Sequence, residues 1–170
     1  MAAGKHILNK QLIALANGNK IGEVKDLYFD DKMVKVVAVY LGSEGLINKK
    51  HFALDRANIQ VMGIDAWLVT SEQSVPAETL PDAERLIQYS DVRGREIVTE
   101  GGTKIAAVDD VLFDAAGEIV GFTLTKIVVQ GPLADRKTIA RAAISTVGSN
   151  TSAMTTDLAK AEATAIPADS

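Results

Sequence analysis

Gly18–Asp30, GNKIGEVKDLYFD, lies over Gly102–Asp114, GTKIAAVDDVLFD, at a displacement of 84 residues, and seven of the thirteen positions agree without a gap. The identities are Gly18/Gly102, Lys20/Lys104, Ile21/Ile105, Val24/Val108, Asp26/Asp110, Phe29/Phe113 and Asp30/Asp114. A recurring stretch of this kind is a supersecondary unit built twice, so it restricts the fold more tightly than composition does.

The correspondence continues beyond the matched stretch. The apolar run Val36–Leu41 meets Ile119–Leu124 at a displacement of 83, and Gly63 meets Gly148 at 85. A unit of that length can form a small domain and is too long for an ordinary solenoid repeat. The reading is two tandem domains, with a pair of half-barrels closing one shared core as the alternative.

Within each unit, a Gly-containing turn at Ala16–Lys20 or Glu100–Lys104 precedes a strand. A second turn follows Phe29-Asp30 or Phe113-Asp114, and an apolar strand comes next, which is a β-hairpin signature. Val36, Val37 and Val39 in one run, and Ile127, Val128 and Val129 in the run Ile119–Val129, are stiff at χ1 and suit a pleated surface. Further hairpins are expected from Ile59–Met62 with Trp67–Thr70, and from Ile144–Val147 with Ala153–Thr155. Between the copies, Pro76 and Pro81 mark a connection, and Asp82–Gln88 adds one or two helical turns with Leu86 and Ile87 facing inward. Asp157–Ser170 is expected to be a short helix or a frayed tail.

Composition agrees with this and narrows the chemistry. Of 170 residues, 47% are apolar but only 5% aromatic, so Val, Ile, Leu and Ala must fill the interior. There is no cysteine, which removes disulfides, thiol nucleophiles and thiolate metal sites, and fits a reducing, cytoplasmic compartment. No stretch approaches the roughly 20 apolar residues of a membrane-spanning helix. The formal net charge is −4. Residues 1–75 carry 9 basic and 8 acidic side chains, and residues 76–170 carry 9 and 14, so the second half is the poorer nucleic-acid surface.

Lys20-Ile21-Gly22-Glu23-Val24-Lys25-Asp26 followed by Tyr28-Phe29-Asp30 resembles the opening hairpin of the PRC-barrel family, named for the cytoplasmic domain of the photosynthetic reaction centre H subunit. The second copy resembles it through Lys104-Ile105, Val108-Asp109-Asp110, Phe113-Asp114 and Gly117-Glu118-Ile119-Val120-Gly121. Ala106 stands where the first copy has Gly22, and Ser152 where it has Trp67. The resemblance implies an all-β chain of two small antiparallel barrels in tandem. The first occupies 1–75, a short helical or irregular connection 76–88, the second 89–156, and a tail 157–170. It also implies a binding or assembly module, since relatives include the reaction-centre subunit and a ribosome maturation factor that engages ribosomal protein and the small ribosomal particle.

No catalytic, cofactor-binding or metal-ligating residue is assigned. Asp26 and Asp110 each follow a valine at strand spacing and are read as acceptors for backbone N–H groups, since neither has a matched base or nucleophile. Asp30-Asp31 and Asp109-Asp110 are adjacent on strands, so their carboxylates diverge. His6 and His51 form no HxH or HExxH pattern, and Ser43, Ser71 and Ser74 have no nucleophile-elbow context. Gly18, Gly63, Gly102 and Gly148 are turn residues, with no GxxxxGK or GxGxxG among them. Trp67 belongs to a core or a domain interface. Lys49-Lys50-His51 with Lys20, Lys25, Lys32 and Lys35 gives the first copy a basic face interrupted by Glu23, Asp26, Asp30 and Asp31.

The expected function is therefore a noncatalytic protein-binding or assembly module without cofactor. Its partner is an unidentified protein or a second copy of the chain, in the cytoplasm or peripheral to a membrane complex. The alternative is a ribosome-associated maturation factor touching RNA or ribosomal protein. An enzyme whose groups converge only on folding is the third reading, and it would require a deep polar pocket.

Overall fold

The computed structural model of the chain describes residues 1–70, 73–149 and 152–168, so Ser71 lies outside the described residues. The strands are β1 (Ala2–Ala3), β2 (Gln11–Ala14), β3 (Lys20–Glu23), β4 (Asp26–Phe29), β5 (Val36–Glu44), β6 (Lys50–Asp55), β7 (Ile59–Met62), β8 (Ala66–Val69) and β9 (Val75–Pro76). They continue as β10 (Ile87–Gln88), β11 (Glu96–Thr99), β12 (Lys104–Phe113), β13 (Ile119–Thr125), β14 (Thr138–Ala140), β15 (Ile144–Thr146) and β16 (Met154–Thr156). Among the described residues there are three short helices, α1 (Tyr89–Val92), α2 (Pro132–Arg136) and α3 (Leu158–Ala163), and single 3-10 turns at Gly4–His6, Arg56–Asn58, Ala77–Thr79, Ala83–Arg85 and Arg141–Ala143.

The chain is thus mostly β, but its sheets are open where closed barrels were expected. One runs β14-β13-β12-β11-β16-β15 with β1 added on β12, the second β10-β4-β5-β6-β9, and the third β3-β2-β8-β7. Nor is the pairing wholly antiparallel, because β2 runs parallel to β8 and β11 parallel to β16. The 3-10 turns at Arg56–Asn58 and Arg141–Ala143 explain both departures. Every neighbouring ladder from β11 to β14, and that between β15 and β16, is antiparallel. A parallel β11–β16 pair then requires β14 and β15 to keep one sense. The turn between them is a corner rather than a hairpin, and no ladder joins the two outer strands.

Residues 11–69 and 96–156 follow the same pairing scheme. β2–β3, β4–β5, β5–β6, β7–β8 and β2–β8 correspond to β11–β12, β12–β13, β13–β14, β15–β16 and β11–β16. Where the first segment breaks between β3 and β4, the second carries a continuous β12 with a bulge between Val108 and Asp110. β13 ends at Thr125, short of the expected Val129, because Lys126 adopts φ +50° and turns the chain out of the ladder. The connection contains a 3-10 turn at Ala83–Arg85, and Ile87 is buried as expected, on a two-residue strand.

The leading strand of each segment pairs with the other segment. β1 lies on β12 with Ala2 opposite Phe113, and β10 lies on β4 with Ile87 opposite Phe29. The hairpin starts also meet, since Val36 N–H donates to Gly117 O at 3.0 Å and Ile119 N–H donates to Val34 O at 2.8 Å around a Lys35–Glu118 bridge. Under the displacement of 83 this contact maps onto itself, which marks an approximate two-fold axis.

Apolar side chains from both segments form one continuous cluster, where the sequence reading fills two interiors. Leu12, Leu27, Phe29, Val39 and Trp67 join Ile97, Val111, Phe113, Phe122 and Met154, and the Phe29 and Phe113 ring centroids lie 5.8 Å apart. Each such side chain contributes about 1.5–3 kcal/mol on burial, so joining the two interiors removes the cost of leaving either open. A smaller cluster of Tyr28, Ala38, Ala53 and Leu80 sits on the outer face of the β4–β5–β6 sheet, beneath the connection 77–86.

Candidate functional site

The aspartates that the sequence pairs are both buried and multiply hydrogen-bonded. Asp26 is 8% exposed and Asp110 1%. Asp26 accepts from Leu27 N–H at 2.8 Å, from Ser90 N–H at 3.2 Å and from the Ser90 hydroxyl at 2.5 Å. Asp110 accepts from Val111 N–H at 2.8 Å, from Lys5 N–H at 3.2 Å and from the Tyr89 hydroxyl at 2.6 Å. Each carboxylate thus binds the leading turn of the opposite segment, and a buried acceptor satisfied in this way fixes the docking angle of that turn. The Tyr89 phenol is pushed up from its ordinary pKa by burial, with the Asp110 carboxylate adding to the effect, so it remains a donor.

The other acids and bases do not converge. Asp109 accepts from the Thr123 hydroxyl at 3.2 Å while Asp110 faces inward, and Asp30 accepts from Val34 and Lys35 N–H, both at 2.8 Å, inside its hairpin turn. His6 is exposed on the first 3-10 turn, and His51 is exposed on β6, hydrogen-bonded to the Tyr40 hydroxyl at 2.7 Å. Ser43 is exposed on β5 and Ser74 just ahead of β9, and Trp67 is buried at 2% exposure. Among the described residues there is no group of three His, Cys, Asp or Glu side chains placed to hold a metal ion, and no helix long and apolar enough to cross a membrane.

The basic face is partly neutralised. Lys20 and Lys25 bind the two Glu23 oxygens at 2.7 and 2.9 Å. The Lys20 ammonium, then Lys25, hold the Glu23 carboxyl down at a pKa of about 2. Lys49 and Lys50 are exposed and enter no ion pair among the described residues.

A groove of about 520 Å³ opens between the start of β5 and the connection that crosses it. Its floor is apolar, formed by Val36, Val37, Ala38, Leu80, Pro81 and Leu86. Its rim alternates in charge, with Asp30, Asp31, Asp55 and Asp82 against Lys35, Arg56 and Arg85. The connection forms the upper wall because Leu80 and Ala83 seat on Tyr28, Ala38 and Ala53, and the turn at Asp82 adopts φ +53°. An apolar floor with a charged rim is the anatomy of a protein contact patch.

Sequence reasoning did not identify Arg141 and Arg56. Arg141 donates to Met33 O at 3.0 Å, Lys32 O at 2.5 Å and Ile144 O at 3.2 Å, and Arg56 donates to Ala116 O at 3.3 Å and Ile59 O at 2.8 Å. Both reach the hairpin turn of the other segment. Their displacement of 85 within the loosely matched later strands was the available signal. Burial pushes the Arg141 guanidinium below its ordinary pKa.

Residues 84–140 match the family model of the PRC-barrel domain. No curated protein matches the chain. The matched stretch covers 57 of 170 residues, from the end of the connection through β14. It therefore includes β10, the strand that this half lends to the sheet of the other.

Proposed function

We propose that the chain is a noncatalytic binding and assembly module made of two PRC-barrel units in tandem, engaging a protein partner through the groove between β5 and the connection. The groove carries this reading, since it offers apolar area and rim charge but no nucleophile beside a base. The matched family domain and the recurrence of one pairing scheme at displacements of 83 to 85 support the tandem arrangement. The reciprocal β1 and β10 exchange makes the two units one assembly rather than beads on a linker. The lack of cysteine supports a cytoplasmic setting. The ribosome-associated alternative is weakened by the Glu23 ion pairs, which tie up two of the lysines on which it depends.

The test is affinity capture from the native source with the full chain, under nuclease treatment and a high-salt wash, beside an Arg85→Glu variant, whose exposed side chain lies on the rim and outside the junction. One protein retained in stoichiometric amount by the wild type and lost from the variant is the expected result. Retention that requires RNA and fails in salt overturns it in favour of ribosomal contact. Equal capture by the rim variant removes the groove as the contact.

A further inference from the structure

At the end of β5 remote from the groove, the β5–β6 hairpin rises into an arm. Ser43 pairs with His51 and Glu44 with Lys50, so the ladder continues up to the tip. The Tyr40–His51 hydrogen bond of 2.7 Å and the ring contact beside it, with centroids 5.7 Å apart, stiffen its base. Gly45 closes the apex with φ +101°, and a Cβ there would stand 2.8 Å from Asn48 O. The residues outside this turn are Leu46 and Ile47, exposed at 100% and 94%.

Folding does not require two bare aliphatic side chains at this place. The corresponding connection of the other segment, 126–137, turns most of its apolar residues inward and leaves Val128 largely exposed, at 65%. Leu133 of α2 is fully buried, Ile127 packs against the main cluster, and Arg136 binds the Ala161 and Glu162 carbonyls of the tail at 2.9 and 3.1 Å. The arm instead places a convex apolar apex in front of Lys49 and Lys50. At its base, Lys25 lies against Gly42 and joins Lys20 around Glu23. Lys20, Lys25, Lys49 and Lys50 stand against Glu23 and Glu44, a local excess of two positive charges on a chain of net charge −4. Near an anionic plane such a molecule turns its arm inward and the rest of its surface away.

We infer that the arm is a lipid-docking device. Leu46 and Ile47 enter the headgroup and acyl boundary of an anionic bilayer, and Lys49 and Lys50 meet the phosphates behind them. The layering along the arm, apolar apex and then cations, follows that of the interface. A protruding tip suits a deformable plane, whereas a protein pocket would need a matching concavity. Along β5 the apex lies roughly 25 Å from the groove, at about 3.3 Å per residue, so the two surfaces can act independently.

The full chain, mixed with phosphatidylcholine–phosphatidylglycerol vesicles, is expected to float with them at low salt, to dissociate as salt rises, and to ignore vesicles of phosphatidylcholine alone. Leu46→Ser/Ile47→Ser weakens vesicle binding about tenfold or more, and Lys49→Glu/Lys50→Glu does so by a similar factor. Both variants keep the wild-type unfolding midpoint because these side chains are exposed. Ile47→Trp reports insertion directly, as a blue shift of emission on anionic vesicles over the constant background of buried Trp67. Absence of wild-type binding to anionic vesicles, undiminished binding by Leu46→Ser/Ile47→Ser, or an unshifted Ile47→Trp spectrum overturns the inference. If the wild type ignores vesicles while the serine variant loses a soluble protein partner, the apex serves protein and the lipid assignment falls. None of these results bears on the groove.

Discussion

Asp26 and Asp110 occupy matching places, yet their amide variants should behave differently because the donors facing them differ. In Asp26→Asn, the amide oxygen can take the place of Oδ1 and accept from Leu27 and Ser90 N–H. The new NH2 then faces the Ser90 hydroxyl, which accepts as readily as it donates, so the hydroxyl rotates and every bond survives. What is lost is the charge assistance of partly buried bonds, about 1 kcal/mol or less. Asp110 has no such freedom. Its Oδ1 faces Val111 N–H and the Tyr89 hydroxyl, and its Oδ2 faces Lys5 N–H. A backbone N–H cannot become an acceptor. Whichever way the amide is turned, its NH2 points at one of two fixed donors and leaves it unsatisfied at a site 1% exposed. The cost is about 1–3 kcal/mol for the orphaned donor, beyond the lost charge assistance.

With roughly 2–4 °C of melting temperature per kcal/mol for a chain of this length, Asp110→Asn should melt about 2–16 °C below the wild type and Asp26→Asn within about 4 °C of it, with Asp110→Asn the lower of the two. Urea unfolding at unchanged m-value provides the free energies. Adding Ser90→Ala to Asp26→Asn should raise the cost of that variant by about 1–3 kcal/mol, since the amide then loses its adaptable partner. An Asp26→Asn penalty equal to or larger than that of Asp110→Asn, in the presence of Ser90, refutes the donor argument.

Three further outcomes follow from the same geometry. The Glu23 carboxyl, followed by carbon-detected NMR, should titrate near pH 2. Its folded pKa lies below the unfolded value, so its small contribution to stability is present above the ordinary carboxylate range and disappears as pH falls toward about 2, and Lys20→Gln should return the titration toward the ordinary value. Arg141→Met removes three carbonyl bonds of a partly buried guanidinium and Arg56→Met removes two, so chemical denaturation should show the larger loss, about 2–4 kcal/mol, for Arg141→Met. In Gly121→Ala, the new Cβ would stand 2.5 Å from both Ile139 O and the Ile166 side chain. The tail should lift from the sheet, and limited proteolysis should cut near Ile166 faster than in the wild type.

Local features were legible in the sequence because they are encoded locally. The turn glycines Gly18 and Gly102 do adopt φ +73° and +87°, and the Val36–Leu41 and Ile119–Leu124 runs lie within β5 and β13. Asp26 and Asp110 were readable as backbone acceptors, since a buried acid at strand spacing without a base has few other uses. Their donors were not readable. Lys5 and Ser90 lie 105 and 64 residues away, on turns preceded by strands of two residues, Ala2-Ala3 and Ile87-Gln88, which are too short to carry a period. The parallel β2–β8 and β11–β16 ladders were missed for a related reason. Arg56–Asn58 and Arg141–Ala143 resemble other polar interruptions, and only the tertiary path reveals that they turn corners without reversing the chain. The groove depends on where the connection lies, which Pro76 and Pro81 announce as irregular without giving its course. Leu46 and Ile47 carry no local mark of their exposure, because an apolar pair between strands has the same pattern as core.

The approximate two-fold separates what the fold needs from what it leaves free. Features that map onto themselves or onto a partner recur because each stabilises the junction of the segments: the Lys35–Glu118 bridge, the Phe29–Phe113 contact, the exchanged β1 and β10, the aspartates and the two arginines. Any single loss among the buried ones costs stability at the shared core, so a partner can act only on those that reach the surface, as Lys35 and Arg56 do at the rim of the groove. The unmatched features lie at the periphery. They are the arm beyond Glu44, the connection over the first sheet, and the tail bound by Arg136. The second segment closes its counterpart of the arm with α2 and α3, while the first leaves its hairpin open to solvent. A chain whose interior is committed to symmetry can bind something new only where the symmetry lapses. Both surfaces assigned to binding, the groove and the lysine-backed apex, lie at opposite ends of β5, a long strand that passes from the junction out into solvent.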